Sequence, residues 1–113
     1  MKYLCLVYGE EGTLDAVSDG ECLAFGEELR TGGHRLAAEA LQPVQTATTI
    51  RVRNGRLLLT DGPFAETKEQ LAGFYLIDAR DLNEAIHLAS KIPPARIGSV
   101  EVRPVRELKA EPS

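Results

Sequence analysis

Two segments of this chain are apolar at every position, Tyr3 to Tyr8 and Leu71 to Ile77. A strand directs alternate side chains to opposite faces of its sheet, so strands of this kind have to be covered on both faces. The chain has 113 residues and only two long helical patterns with which to cover them. This requirement limits the possible folds more than any single motif does.

Two capping signatures mark the helices. Ser18 three residues before Glu21 predicts a helix that starts at Ser18 and stops at Gly32-Gly33. Asp81 three residues before Glu84 predicts a second one that Pro93-Pro94 ends. Apolar residues at helical spacing give the expected buried positions, which are Cys22, Phe25, Gly26 and Leu29 in the first helix and Leu82, Ala85, Ile86 and Ala89 in the second.

A hairpin lies between the two apolar segments. Asn54-Gly55 is a strong type I′ turn signal, because this turn needs a positive φ at both central residues. It joins predicted strands at Thr46 to Arg53 and Arg56 to Thr60, and a two-residue loop pairs Val52 with Leu57 and Ile50 with Leu59. Further strands are predicted at His34 to Gln42 and at Ser99 to Val105, which alternates as an edge strand does.

The order of these elements indicates an α+β fold of the ferredoxin-like βαββαβ type with an extra β-hairpin. In this fold an antiparallel sheet carries two helices on one face, and the two apolar segments are its central strands. The other face then needs a cover, and we expect a second copy of the chain laid sheet against sheet, as a homodimer. Residues 1–106 are expected to form the single domain and 107–113 a polar tail.

Composition narrows the classes of function. With 43% hydrophobic and 27% charged residues the chain is typical of a soluble globular protein. A net charge of −4, with dispersed Lys and Arg, argues against nucleic-acid and membrane binding. The chain shows no membrane-spanning or targeting segment, and Cys5 and Cys22 fit buried hydrophobic positions, so we expect a cytoplasmic protein in a reducing compartment. The two histidines lack metal-ligand spacing, and no nucleotide-binding or serine-hydrolase motif is present.

Several stretches resemble the YCII-related proteins of the DGPF type. They are Thr60-Asp61-Gly62-Pro63-Phe64-Ala65-Glu66-Thr67-Lys68-Glu69, Gly73-Phe74-Tyr75-Leu76-Ile77, Gly98-Ser99-Val100-Glu101-Val102-Arg103-Pro104, Glu39-Ala40-Leu41-Gln42 and Thr48-Thr49. The resemblance spans nearly the whole chain. It implies a dimeric α+β barrel, in a family of mostly uncharacterised bacterial proteins often encoded beside extracytoplasmic-function sigma factors. The barrel superfamily includes cofactor-free monooxygenases and muconolactone isomerase-type enzymes. A His-Asp pair has been proposed for the wider group, and it cannot be matched here residue by residue.

The charged segment after the hairpin supplies the first candidates for a site. Asp61 either stabilises its turn through bonds to the following amides or acts as a general base at the mouth of an apolar cleft. Glu66 and Lys68 are either a solvated loop face or a cluster in which Lys68 holds a carboxylate or enolate oxygen. Phe64, within the DGPF tetrapeptide, is a candidate substrate contact.

The sheet supplies the others. Tyr75 and Tyr8 come from the central strands and either pack in the core or direct hydroxyls into the cleft. Glu39 faces the side that the helices leave uncovered, where a charge calls for a partner such as Arg103 or Arg51. His34 is either a strand-end histidine or a partner of Asp61, and His87 is expected to be exposed.

Two functions from different classes fit these residues. One is a small enzyme without a tightly bound cofactor that transfers a proton on a small carbonyl or aromatic metabolite, with Asp61 as the base and Lys68 and Tyr75 as orienting groups. The other is a non-catalytic ligand-binding or regulatory module that contacts a partner such as a sigma factor.

Overall fold

Six strands form two antiparallel sheets in the computed structural model, which describes residues 1–111. The strands are β1 (Lys2–Gly9), β2 (Arg35–Ala40), β3 (Thr48–Arg53), β4 (Arg56–Asp61), β5 (Gln70–Asp78) and β6 (Ser99–Pro104). The helices are α1 (Glu11–Leu14), α2 (Asp19–Thr31) and α3 (Leu82–Ala89). Short 3₁₀ turns at Val44–Thr46 and Pro93–Arg96 complete the elements.

The main sheet has the order β2-β5-β1-β6, so the two apolar segments are its central strands. This confirms the predicted ferredoxin-like α+β arrangement. The strand that starts with Arg35 is shorter than the predicted His34 to Gln42. Two irregularities interrupt the pairing with β5, one between Val7 and Tyr8 and one between Arg35 and Ala37. Each of them shifts which side chains share a face.

Both long helices pack on one face of this sheet. Tyr3, Cys5 and Ile77 of the central strands are buried there in one hydrophobic cluster with Phe25 and Leu29 of α2. Ala85 and Ala89 of α3 join the same cluster together with Ile92. The opposite face, called here the open face, carries Leu4, Leu6, Tyr8, Phe74 and Leu76, and the described residues leave all of them partly exposed.

The caps form where the sequence places them, with one difference. The Glu21 amide donates to Ser18 Oγ at 3.2 Å and the Glu84 amide to Asp81 Oδ1 at 2.8 Å. The Glu21 carboxylate does not return to the cap and instead accepts hydrogen bonds from Arg96 at 2.6 and 2.9 Å. This ion pair joins the start of α2 to the turn before β6.

The buried stripe predicted for α3 is wrong in two of its four positions. Leu82 and Ile86 are 48% and 50% exposed. The small side chains of Ala85 and Ala89 face the core, and Leu88 packs against it. The helix is therefore rotated so that its alanines lie against the sheet. His87 is exposed, as expected.

The hairpin of β3 and β4, called here the arm, stands apart from the main sheet. Its register pairs Val52 with Leu57 and Ile50 with Leu59, as predicted. Asn54 and Gly55 have φ of 52° and 74°, which gives the expected turn. These four paired apolar side chains are between 59% and 63% exposed. The radius of gyration, 16.3 Å, exceeds the about 13 Å of a compact domain of this length.

The described part of the chain past β6 has no further regular structure. Residues 105–111 are exposed and belong to no helix or strand. The predicted polar tail, 107–113, falls in this part, and its residues 112 and 113 lie outside the described residues. In the part of the chain that the structure describes, no helix is long and apolar enough to cross a membrane.

Candidate functional site

A cleft of about 1080 Å³ opens between the helices and the sheet. Helix α1, the following turn and the first half of α2 form one wall, and β2 and β5 form the other. Leu14, Val17, Ala38 and Ala40 give the walls an apolar surface. Concave sites with apolar walls and a few polar groups are typical of small-molecule binding. The cleft is therefore the candidate site.

Tyr75 lies inside this cleft on the helix-covered face of β5. Its ring meets Phe25 edge to face, with the ring centroids 5.5 Å apart. Burial raises the pKa of its hydroxyl to about 12, and the nearby Cys22 adds to the rise. The phenol is therefore protonated at neutral pH and is suited to donate a hydrogen bond to a ligand oxygen rather than to accept a proton.

The two cysteines are free thiols in different surroundings. Cys5 is completely buried, and this burial raises its pKa to about 11. Cys22 lines the cleft, where burial, followed by the charges of Asp19 and Glu21, also raises the pKa of its thiol. Neither group is activated as a thiolate at neutral pH. The cleft therefore offers hydrogen-bond donors but no activated cysteine nucleophile.

The residues that the sequence places first, Asp61, Glu66 and Lys68, do not line this cleft. All three side chains are exposed at the base of the arm. Lys68 lies 3.5 Å from Glu10 in an exposed ion pair. None of the described amides donates a hydrogen bond to the Asp61 carboxylate. Instead the turn is held by its neighbour Gly62, whose amide donates to the Ala47 carbonyl at 2.8 Å.

Phe64 is also far from the cleft lining. It is 81% exposed, and the Arg51 guanidinium lies 5.8 Å from the centroid of its ring. This cation–π contact joins the DGPF segment to strand β3. Arg51 therefore contacts Phe64 and is not placed beside Glu39.

Three further candidates lie on the open face, and one of them, Glu39 of the edge strand β2, also borders the cleft. Tyr8 borders a shallow groove with Glu69, where Ser99 donates to the Glu69 carboxylate at 2.6 Å. Glu39 pairs in register with Phe74, so it faces the uncovered side as predicted. Arg103 lies on β6, the edge strand opposite β2, and forms an ion pair with Glu101 of the same strand. Tyr8 and Tyr75 thus point to opposite faces and do not meet in one cleft.

His34 binds the main chain at the start of β2. Its Nδ1 lies 2.8 Å from the carbonyl oxygen of Asp78. The histidine is therefore engaged with the end of β5, and it makes no hydrogen bond with Asp61. Of the two alternatives for His34, a strand-end histidine and a partner of Asp61, the first describes its position.

Arg35 is a cleft residue that the sequence analysis misses. Strict alternation from Ala38 and Ala40 places it on the open face. The irregularity between Arg35 and Ala37 pairs it with Ile77, which faces the helices. Arg35 thus lines the cleft. No sequence signal marks this shift. Asp15 and Asp19 are different, because their positions just before α2 and at its first residue could have placed them at the cleft.

Comparisons with known proteins agree with this architecture. The family model of the YCII-related domain matches residues 1–109. An uncharacterised protein of Rhizobium meliloti (strain 1021) is 40% identical over 115 residues, covering 93% of this chain and 92% of that protein.

A solved structure of similar fold is 5-chloro-2-hydroxyhydroquinone dehydrochlorinase (TftG) from Burkholderia phenoliruptrix AC1100, in complex with 2,5-dihydroxybenzoquinone. It has a TM-score of 0.55 and 15% identity, and the match covers 94% of each chain. The low identity makes this a likeness of fold. With the family model and the Rhizobium relative both matching over almost its full length, the chain belongs to the YCII-related family.

Proposed function

We propose that the cleft binds a small carbonyl or aromatic metabolite and that the protein catalyses a proton transfer on it without a tightly bound cofactor. The observation that carries this proposal is the Tyr75 hydroxyl, a half-buried neutral donor inside a cleft of about 1080 Å³. Such a donor stabilises negative charge that develops on a carbonyl oxygen. The fold is shared with a dehydrochlorinase whose structure holds a dihydroxybenzoquinone, which supports a ring compound as the first probe.

The proton acceptor in this proposal is a carboxylate at the cleft mouth. Asp15 and Asp19 line the cleft and are exposed. One of them accepts a proton from the carbon beside the carbonyl, the electron pair moves to the carbonyl oxygen, and Tyr75 donates its hydrogen bond to that oxygen. Asp61, Glu66 and Lys68 take part only if the arm of a second copy carries them to the cleft.

Binding is tested by thermal unfolding with 2,5-dihydroxybenzoquinone. A ligand at about 100 times its dissociation constant adds roughly 2.7 kcal/mol, which corresponds to a rise in Tm of about 10 °C. Tyr75→Phe should weaken binding about fivefold, as expected for one neutral hydrogen bond. Tyr8→Phe, on the open face, is the matched control and should leave binding unchanged. Equal effects of the two variants would contradict the assignment of the cleft.

The homodimer is part of the same proposal, with a second copy against the open face and the arm. The chain exposes 8232 Å², about 2100 Å² more than a monomer of this mass usually does. The extended residues 105–111 and the exposed apolar arm both contribute to this excess. An excess of this size suits the large interfaces of obligate homodimers.

Sedimentation velocity tests the dimer with two neighbouring residues of the arm. Leu59→Glu alters the apolar face shared with Ile50, whereas Leu58→Glu alters the face shared with Arg51. We expect Leu59→Glu to shift the protein toward monomer at micromolar concentration and Leu58→Glu to remain dimeric. A wild-type protein that sediments as a monomer would refute the dimer.

The second candidate is a non-catalytic ligand-binding or regulatory module, in which the arm contacts a partner such as a sigma factor. The exposed apolar arm favours it, and so does the raised pKa of the Cys22 thiol, which leaves the cleft without an activated cysteine nucleophile. Deuterium exchange into pyruvate, followed by NMR, separates the two, because an enzyme of the proposed kind accelerates exchange at the carbon beside the carbonyl. Ligand binding without exchange supports the module. The free thiols fit a cytoplasmic location for either function.

A further inference from the structure

We infer that the Arg35 end of the cleft is an anion subsite, and that the ligand is a small aromatic carboxylate with a second oxygen for Tyr75. This inference rests on the proposed function and adds the class of ligand. It follows from the position of Arg35, which forms no ion pair within residues 1–111, from a glycine that leaves room for it, and from the closeness of Arg35 and Tyr75 on one face of the sheet.

Arg35 brings a positive charge into the cleft. Its partner in the sheet, Ile77, faces the helices, and its side chain lines the cleft wall. Among residues 1–111, no carboxylate forms an ion pair with it. The nearby Glu27 carboxylate is bound by Arg30. A guanidinium has five donors in a planar fork that suits a carboxylate, so Arg35 has free donors to offer a ligand.

Gly26 leaves space for this guanidinium beside α2. It is a buried glycine within the 13 residues of α2, where glycine costs about 1 kcal/mol relative to alanine. A Cβ at this position would lie 3.3 Å from Arg35 Nη1. The helix thus leaves open the space that the guanidinium needs beside it.

A second donor, the Tyr75 hydroxyl, belongs to the same face of the sheet. Arg35 pairs with Ile77, which is two residues from Tyr75 along β5, about 7 Å. Both side chains also meet the same part of α2, since Arg35 lies against Gly26 and the ring of Tyr75 meets Phe25. A ligand whose carboxylate binds Arg35 therefore places a ring hydroxyl or carbonyl oxygen near Tyr75.

The other charges of the cleft lie away from Arg35, and the one on the same strand, Glu39, is four residues further along β2, roughly 10 to 13 Å. Asp15 and Asp19 are exposed at the start of α2 and Glu11 accepts a hydrogen bond from the Val44 amide at 2.5 Å. Between the two ends the walls are apolar, with Leu14 and Val17 on the helical side. An aromatic ring matches these walls, while its carboxylate is directed away from the acidic mouth.

The test uses isothermal titration with 4-hydroxybenzoate and its neutral counterpart, 4-hydroxybenzamide. We expect the wild type to bind the acid more tightly. Arg35→Met keeps the apolar stem, and it should weaken the acid about ten- to hundredfold, as for a hydrogen bond to a charged group, while changing the amide less than about twofold. Arg35→Lys should recover part of the affinity. Arg80→Met, an arginine paired with Glu84 on α3, is the control and should bind as the wild type does.

The outcomes separate this inference from the proposed function. If the acid and the amide bind the wild type equally, or if Arg35→Met binds the acid as the wild type does, the anion subsite is refuted and the cleft remains a ligand site. If neither probe, nor the dihydroxybenzoquinone, binds at millimolar concentration, both proposals fail. Far-ultraviolet circular dichroism shows whether each variant is folded.

Discussion

Gly98 offers the sharpest test of how closely the chain packs. It lies directly before β6, and a Cβ added there would be 2.2 Å from the carbonyl oxygen of Tyr8 and 3.3 Å from Cα of Gly9. Both obstacles are main chain of a central strand. Tyr8 is paired on one side with Leu71 and on the other with Ser99. Neither neighbour can move without breaking a ladder of hydrogen bonds.

The size of the effect follows from this distance. A carbon and a carbonyl oxygen need about 3.2 Å, so Gly98→Ala forces the two segments roughly 1 Å apart, and overpacking of this kind costs about 3 kcal/mol. For a chain of 113 residues, this destabilisation lowers Tm by about 12 °C. The loss comes entirely from crowding, because the backbone of Gly98 has no positive φ.

Two other glycines make the prediction a graded series. At Gly73 the added Cβ would lie 2.8 Å from the carbonyl oxygen of Glu39, on an edge strand that can shift, so Gly73→Ala should cost less, about 1 to 2 kcal/mol. At Gly12, in α1, a Cβ would meet nothing within 4 Å. Gly12→Ala should therefore be neutral or stabilising by up to about 1 kcal/mol.

Thermal unfolding by circular dichroism, at one protein concentration, measures all three variants. We expect Tm to increase in the order Gly98→Ala, Gly73→Ala, wild type, with Gly12→Ala at or above the wild type. If Gly98→Ala melts within about 2 °C of the wild type, the close approach of the two segments does not exist and the reasoning is refuted.

Three further predictions concern single side chains. The hydrogen bonds from Arg96 lower the pKa of Glu21 below 4.5. The folded state is therefore stabilised by this ion pair above pH 4.5, and the stabilisation is lost as pH falls through the lowered pKa. Arg96→Met should flatten this part of an acid-unfolding curve. Burial raises the pKa of the Cys5 thiol from 9.0 to about 11. The contribution of this thiol to the free energy of unfolding is therefore complete below pH 9.0 and declines as pH rises toward 11. Cys5→Ala should reduce this alkaline loss of stability in urea titrations. Ser18→Ala removes a cap and should cost about 1 kcal/mol, whereas Ser18→Asp should keep the stability; equal Tm values for both variants would contradict the cap.

Local signals determine the parts of the fold that the sequence predicts correctly. The caps at Ser18 and Asp81 and the turn at Asn54-Gly55 depend on residues close together in the chain, and the double-faced apolarity of β1 and β5 requires central strands. The rotation of α3 is different. Its apolar positions span a wide arc, and the contact of Ala85 with the sheet, which only the tertiary structure determines, selects the part that is buried.

The site depends more on tertiary structure. Tyr75 could be assigned to a face from alternation within β5, and it lines the cleft. Arg35 could not, because a shift of register near Leu36 reverses its side and depends on how β2 pairs with β5. Asp61 begins a turn whose chemistry is readable, yet its position outside the cleft arises from the direction in which the whole arm leaves the sheet.

The arm has one more consequence, for amide hydrogen exchange. Its strands are paired only with each other, and an isolated two-stranded hairpin opens readily in water. In a single chain the amides of residues 48–61 should therefore exchange long before those of β1 and β5, which lie between hydrogen-bonded neighbours on both sides. Whatever covers the arm slows that exchange. Protection that grows with protein concentration identifies a second copy as the cover, and protection that appears only with an added protein identifies a different partner.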